Sequence, residues 1–432
     1  MSGYLIKGAM LPSGQLADLV IDQGRIVEIG KALTGSLRQT QIDAQGLVAL
    51  PGLVDLHTHL REPGGEDAET VRSGSQAAAK GGFTCVHAMA NTFPVADTAG
   101  VVEQVLRLGE QAGYVQVRPV GAVSQGLRGE KLAELAAMAR SAAQVRVFSD
   151  DGHCVADPVL MRRALEYTKT FQAVVAQHAQ EPRLTEGALM HEGQVSAELG
   201  LTGWPAVAEE SIIARDVLLA EHVGARLHVC HVSTAGSVDI IRWAKRRGVA
   251  VTAEVTPHHL LLTDQSARGF DPVFKVNPPL RDADDVAAVR RGLVDGTIDI
   301  VATDHAPHPR EAKQCEWAAA AFGMTGLETA LPIVNQVMVA TGRLDWAAVA
   351  QAMSVIPAKI GRVTEQGQLL EVGAIANLTL FDPTATWLVD PAAMATASTN
   401  TPVAGRQMTG RTVWTFWQGR PTVADCQLVE GE

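Results

Sequence analysis

Excess positive charge is the first thing this chain lacks. Lys and Arg number 36 against 47 Asp and Glu, giving a formal net charge of -11. A nucleic-acid or anionic-membrane surface would need a basic stripe, so the balance argues against both. No run of like charge is long enough to form a tail. Cysteine is sparse as well. The five residues Cys85, Cys154, Cys230, Cys315 and Cys426 are scattered, odd in number and without a CxxC pair. That pattern suggests neither a disulfide framework nor a zinc finger, and fits small buried residues in a reducing compartment. No apolar segment reaches membrane-spanning length, and Met1–Met10 is too polar for a signal peptide. A cytoplasmic location is expected. There is no GxxxxGK[ST] phosphate loop; Gly64-Gly65 and Gly81-Gly82 read as turns.

What is present is an ordinary globular balance. Hydrophobic residues make up 47% and charged residues 19% of 432, enough for one large domain with a smaller one beside it. Through the middle of the chain, short β-rich apolar runs alternate with longer Ala/Leu/Glu-rich stretches. The strand candidates are Leu53–Leu60, Phe83–Met89, Val115–Val123, Gln144–Asp151, Phe171–His178, Ala225–Val232, Val249–His259 and Ile298–Ala306. Helix candidates include Glu130–Ala142, Val207–Val223, Ala235–Arg247 and Gly326–Thr341. Eight strand–helix units predict an α/β fold, a (β/α)8 TIM-type barrel over residues 51–363, because parallel strands need crossover connections. The ends read differently. Residues 1–50 and 364–432 hold short strand-like pieces, such as Leu5–Gly8, Asp18–Ile21, Asn377–Phe381 and Thr412–Phe416. Together they are expected to build one small β-sandwich; the alternative is two separate extensions packed on the barrel.

The strongest local signal is Asp55-Leu56-His57-Thr58-His59-Leu60-Arg61. Side chains alternate along a strand, so His57 and His59 share a face and can grip one divalent cation. Four other predicted strands end in a possible ligand: Asp150-Asp151, His178, His231 and Asp304. Each alone reads as structural. Their recurrence on one rim does not, because carboxylates and imidazoles facing an apolar interior are costly without a cation. Four histidines with two aspartates make the inventory of a two-metal hydrolytic site. Spacing alone leaves open whether Asp150 or Asp151 belongs to it.

The finer motifs resemble the dihydroorotase family of the amidohydrolase superfamily, in its bacterial type I form. They are Asp55–Gly64, Phe148-Ser149-Asp150-Asp151-Gly152, Glu254–Leu260, Lys275-Val276-Asn277-Pro278-Pro279-Leu280-Arg281 and Ala302–His308, with Asn400-Thr401-Pro402 near the end. The resemblance implies reversible hydrolysis of L-dihydroorotate to N-carbamoyl-L-aspartate, the ring closure of pyrimidine biosynthesis. It implies two divalent metal ions, with zinc preferred, bound by His57, His59 and Asp304 on one side and His178 and His231 on the other. Asp151 would bridge them. Many superfamily members bridge with a carboxylated lysine, but Gln144–Asp151 contains none. A hydroxide shared by the metals would attack, with Asp304 as general base and then acid. Arg61, Asn91 and His308 would hold the substrate carboxylate, Arg61 in bidentate fashion, and His59 would be a further substrate contact. Asn277 and the Phe322-Gly323 backbone would meet the ring. The segment 307–322 is expected to lie over the site.

His258 or His259 is expected to support the site indirectly. His87, His153, His191, His222, His228 and His305 read as structural or surface residues. Two other functions compete. A hydantoinase or allantoinase would share the barrel and metals but not the carboxylate-binding set. A non-catalytic scaffold for aspartate carbamoyltransferase would have lost ligands, whereas all six positions are filled here. A homodimer, and a complex of the active enzyme with that transferase, are the partner expectations.

Overall fold

The protein was analysed as a computed structural model that describes residues 3–35 and 39–430; the outermost residues of both expected terminal segments, 1–2 and 431–432, lie outside the described residues. The chain opens with β1 (Gly3–Met10), β2 (Leu16–Asp22), β3 (Arg25–Gly30), β4 (Gln39–Asp43) and β5 (Val48–Pro51). The middle holds β6 (Leu53–Thr58), β7 (Phe83–Ala88), β8 (Gln116–Pro119), β9 (Val147–Phe148), β10 (Val174–Gln177), β11 (Met190–His191), β12 (Gly203–Trp204), β13 (Leu227–Val229), β14 (Val251–Val255) and β15 (Ile300–Val301). The end adds β16 (Leu378–Leu388), β17 (Gln407–Trp417), β18 (Arg420–Ala424) and β19 (Gln427–Leu428).

The eight expected central strands all form, and all their pairings are parallel. β6, β7 and β8 make one sheet; β9, β10, β13, β14 and β15 make another. Parallel bridges Gly121↔Phe148 and Thr58↔His305 join the two sheets at both edges. Along β10 the pleat sorts side chains: Val174 and Ala176 join an inner cluster with Leu56, Val120, Val147, Ile300 and Ala302, while Val175 packs outward with the helices. The helix Pro158–Lys169 shows why those outer elements form. Asp157 caps it by accepting from Leu160 N, Pro158 occupies its first turn, and Leu160, Met161, Ala164, Leu165 and Thr168 bury one face.

Several strands are shorter than their apolar runs. β9 and β15 keep only two residues each. The run Val249–His259 stops at Val255, because Thr256 caps a short helix, Pro257–Leu261, that carries both His258 and His259. Of Glu130–Ala142 only Leu135–Arg140 is helical. Val207–Val223 forms as expected.

The terminal segments meet in one nine-stranded mixed sheet, ordered β19-β18-β17-β16-β5-β1-β2-β3 with β4 on β1. The join is β5 against β16, antiparallel, from Val48↔Phe381 to Pro51↔Leu378. Ile6, Leu19, Ile21 and Ile26 from one end share a core with Leu378, Leu380 and Phe416 from the other. No helix among the described residues is long and apolar enough to cross a membrane.

Candidate metal centre

His57 lies near the end of β6 and His59 just past it, and both side chains are buried. Asp151 follows β9, His178 follows β10, His231 follows β13 and Asp304 follows β15. All six are buried, none more than 5% exposed. Two sets of ligand-type atoms converge, His57, His59, Asp151 and Asp304 in one and Asp151, His178 and His231 in the other. Asp151 belongs to both. Its Oδ2 lies 3.3 Å from His57 Nε2 and 3.3 Å from His59 Nε2; its Oδ1 lies 3.2 Å from His178 Nδ1 and 3.2 Å from His231 Nε2. Asp304 Oδ1 is 3.1 Å from His59 Nε2 and 3.5 Å from His57 Nε2. Asp150 is turned away, accepting from Val123 N, Ser124 N and the Ser124 hydroxyl. The structure thus separates the two aspartates that spacing left open.

This set fits divalent cations on its own chemistry. His57 Nε2 is buried and makes no hydrogen bond among the described residues, although two carboxylates stand near it. His178 Nδ1 and His231 Nε2 approach within 3.0 Å, two imidazole nitrogens whose outer nitrogens or backbone are already fixed. His57 Nδ1 meets Glu254 Oε1 at 2.6 Å, and Glu254 Oε2 meets His228 Nε2 at 2.9 Å. His59 Nδ1 meets Asn91 Oδ1 at 2.9 Å, and His178 Nε2 meets Gln180 Oε1 at 2.7 Å. An oxygen acceptor on the far nitrogen leaves the near nitrogen with a free lone pair, the tautomer a metal needs. Burial alone would depress the His57 pKa, yet Asp151, Glu254 and Asp304 hold it well above the ordinary value. Burial would raise Asp304, but His57, His59 and His231 pull it down to about 2.

Backbone strain gathers at the same place. Arg61, His231 and Asp304 adopt φ of 61°, 32° and 46°. Such left-handed conformations cost non-glycine residues ~1–3 kcal/mol each and cluster where a side chain must be aimed. Asp55 supports one of them: its carboxylate accepts from His57 N at 3.1 Å and from Thr303 N at 3.1 Å, next to Asp304.

The other expected residues surround this centre. Arg61 Nε donates to Pro307 O at 3.1 Å, and among the described residues its Nη groups donate no hydrogen bond. Asn91 reaches the centre through His59. Asn277 Nδ2 donates to Gln180 Oε1 at 3.0 Å, and its buried Oδ1 has no partner among the described residues. His308 Nε2 donates to Phe322 O at 2.7 Å, and Gly323 N donates to Lys275 O at 2.9 Å. Glu254, Gln180 and Asp55 carry no role in the sequence reading, though Glu254 opens one of its motifs. His258, with an unpartnered buried Nε2 and a pKa pushed down to about 4 by burial, is the better placed of the two adjacent histidines to face the centre. His259 is tied to Thr256 Oγ1 and Pro278 O. Clefts away from the centre include one of about 590 Å³ beside Arg118, Arg146 and Arg362 and one of about 300 Å³ beside Lys80 and Trp387. Neither contains any of the six converging side chains, so chemistry rather than volume marks the site.

A family model described as Dihydro-orotase-like matches residues 46–237. The chain is 64% identical to a dihydroorotase of Streptomyces coelicolor, over 99% of this chain and all of that one. It is 54% identical to a dihydroorotase of Mycobacterium tuberculosis, over 98% of this chain and 99% of that one. Among solved structures, an L-hydantoinase (dihydropyrimidinase) from Arthrobacter aurescens superimposes with a TM-score of 0.88 at 25% identity, covering 100% of this chain and 98% of that one. A dihydropyrimidinase from Brevibacillus agri gives 0.83 at 23% identity, covering 99% and 96%. The fold is that of cyclic-amide hydrolases, and within it the chain belongs to the dihydroorotase family.

Proposed function

We propose that this site interconverts L-dihydroorotate and N-carbamoyl-L-aspartate. The observation that carries the reading is Asp151, with one carboxylate oxygen turned to each half of a buried His/Asp cluster, and Arg61 beside it, whose Nη groups donate no hydrogen bond among the described residues. His57, His59 and Asp304 would hold one divalent ion, His178 and His231 a second, and Asp151 would bridge them. Imidazole-rich ligands suit zinc. Bound there, the metals would supply Lewis acidity to the ring carbonyl and make a water acidic enough to attack near neutral pH.

The chain's own residues do the rest. The Arg61 Nη groups pair with the substrate carboxylate, with Asn91 and His308 alongside. The partnerless Asn277 Oδ1 accepts a ring N–H. Asp304 stays ionised, so it can take the proton of the attacking water; its low basicity favours handing that proton to the departing amide nitrogen. In reverse, the same moves close the ring.

The continuous parallel pairing and the inner cluster support a (β/α)8 barrel over 51–363 with the site at the carboxyl ends of its strands. The shared sheet and core support a terminal β-sandwich of 1–50 with 364–432. A homodimer and a complex with aspartate carbamoyltransferase rest on the family resemblance alone, and light scattering of the purified chain with and without that transferase tests both.

Two variants test the chemistry. Arg61→Met should lower kcat/KM for dihydroorotate by ~10²-fold or more, as expected when a charged partner is lost. Asp304→Asn should lower kcat by ~10²-fold or more while substrate affinity persists. Near-normal turnover by either variant would remove that residue from the mechanism.

A further inference from the structure

Two buried lysines outside the metal centre have no carboxylate partner among the described residues. Lys275 is 2% exposed and Lys313 is 7% exposed. Lysine is rarely buried without an anion, so each must be satisfied in another way. Lys275 Nζ donates to Trp317 O at 2.7 Å, Ala318 O at 3.0 Å and Ala320 O at 2.7 Å, matching the three N–H groups of an ammonium. Its Nζ also stands 4.5 Å from the centre of the Phe322 ring. Lys313 Nζ donates to Ala321 O at 2.8 Å and back to Lys275 O at 3.1 Å. Burial and the neighbouring Lys275 push the Lys313 pKa down to about 7, and a neutral amine still has two N–H groups for its two carbonyls.

Both lysines act on the same stretch of chain. Four of the five carbonyls belong to 317–321, and the fifth is that of Lys275 itself, which also accepts from Gly323 N. Lys275 precedes Asn277, which is hydrogen-bonded to Gln180 and through it to His178. One short piece, 275–277, therefore fastens both the segment over the site and the support of a candidate ligand. Packing alone would not require two lysines here; a methionine fills the same length without donors.

We propose that Lys275 and Lys313 are positioning residues, whose interlocked bonds to backbone carbonyls hold the 307–322 segment so that His308 and the Phe322–Gly323 backbone stand at the substrate. The substrate side of this inference rests on the function proposed above. The test uses the full-length, metal-loaded protein with Lys313→Met and Lys275→Met. The expected result is a tenfold or greater rise in KM for dihydroorotate with kcat within about threefold, unchanged metal content per chain, and tryptic cleavage after the exposed Arg310 accelerated at least tenfold. Lys313→Met removes two bonds rather than three and keeps the test alive if Lys275→Met does not fold. A folded Lys313→Met protein with unaltered KM overturns the proposal, whether or not cleavage at Arg310 rises. If the wild-type protein does not turn over dihydroorotate, the functional reading fails by itself, and unaltered Arg310 cleavage in the variants overturns the hold on the segment independently of it.

Discussion

Glu254 stands opposite His57 across 197 residues of sequence, and its second oxygen takes up His228. The carboxylate fixes the tautomer of His57 and strengthens its near nitrogen as a donor to a cation. Glu254→Gln keeps the size and loses the charge, so metal affinity should fall ~10–100-fold, measured by competition with a chromogenic chelator. Affinity equal to that of the wild type would mean that His57 needs no such support. The contrast with His57 and His59 shows what was legible in the sequence. A pair one residue apart on a strand announces itself through alternation; a partner nearly two hundred residues away does not. His228, read as structural from the sequence, is the far end of this relay. Spacing left Asp150 and Asp151 open while the family resemblance favoured Asp151; both side chains are buried, and their hydrogen bonds and neighbours are what differ.

At the level of elements, the positions of the strands were legible and their lengths were not. Apolar runs mark what is buried, and residues stay buried after the ladder ends. β15 stops at Val301, yet Ala302, Thr303, Asp304 and His305 remain buried while the backbone turns to aim Asp304 inward. The turn after β13 has its own brace. Glu209 accepts from Ser233 N at 3.0 Å and Thr234 N at 3.3 Å, just before the helix Ala235–Arg246 and two residues beyond His231. Arg281, 1% exposed, closes the network through Ser233 Oγ and Trp204 O. Glu209 Oε2 lies 3.8 Å from Arg281 Nη2, so Glu209→Ala would take the paired carboxylate from a buried guanidinium, a loss of ~3–5 kcal/mol in urea unfolding. A loss below ~1 kcal/mol would show that the carbonyl and hydroxyl partners suffice.

For the whole molecule, the two ends of the chain share one sheet and one apolar core, and the sequence reading expected them to come together. The single mixed sheet that joins them through β5 and β16 was not visible in it, since antiparallel partners more than three hundred residues apart leave no local pattern. Stability as a function of pH also belongs to this scale. His87 is fully buried, and burial pushes its pKa down to about 4. An unfolded histidine titrates near ~6.5, so the folded state prefers the neutral ring. That contribution is complete above ~6.5 and is lost as pH falls through about 4. The stability of the wild type relative to His87→Gln, from denaturant unfolding, should therefore shrink as pH is lowered across this window. A difference that stays constant or grows would contradict a neutral His87. The central claim, a dihydroorotate-specific metal site, is tested most directly by following loss of ultraviolet absorbance as the purified, zinc-supplemented protein acts on L-dihydroorotate, with hydantoin and allantoin in parallel. The expected result is turnover of dihydroorotate alone, abolished by a chelator and restored by metal; turnover of hydantoin or allantoin instead, or activity indifferent to the chelator, would contradict it.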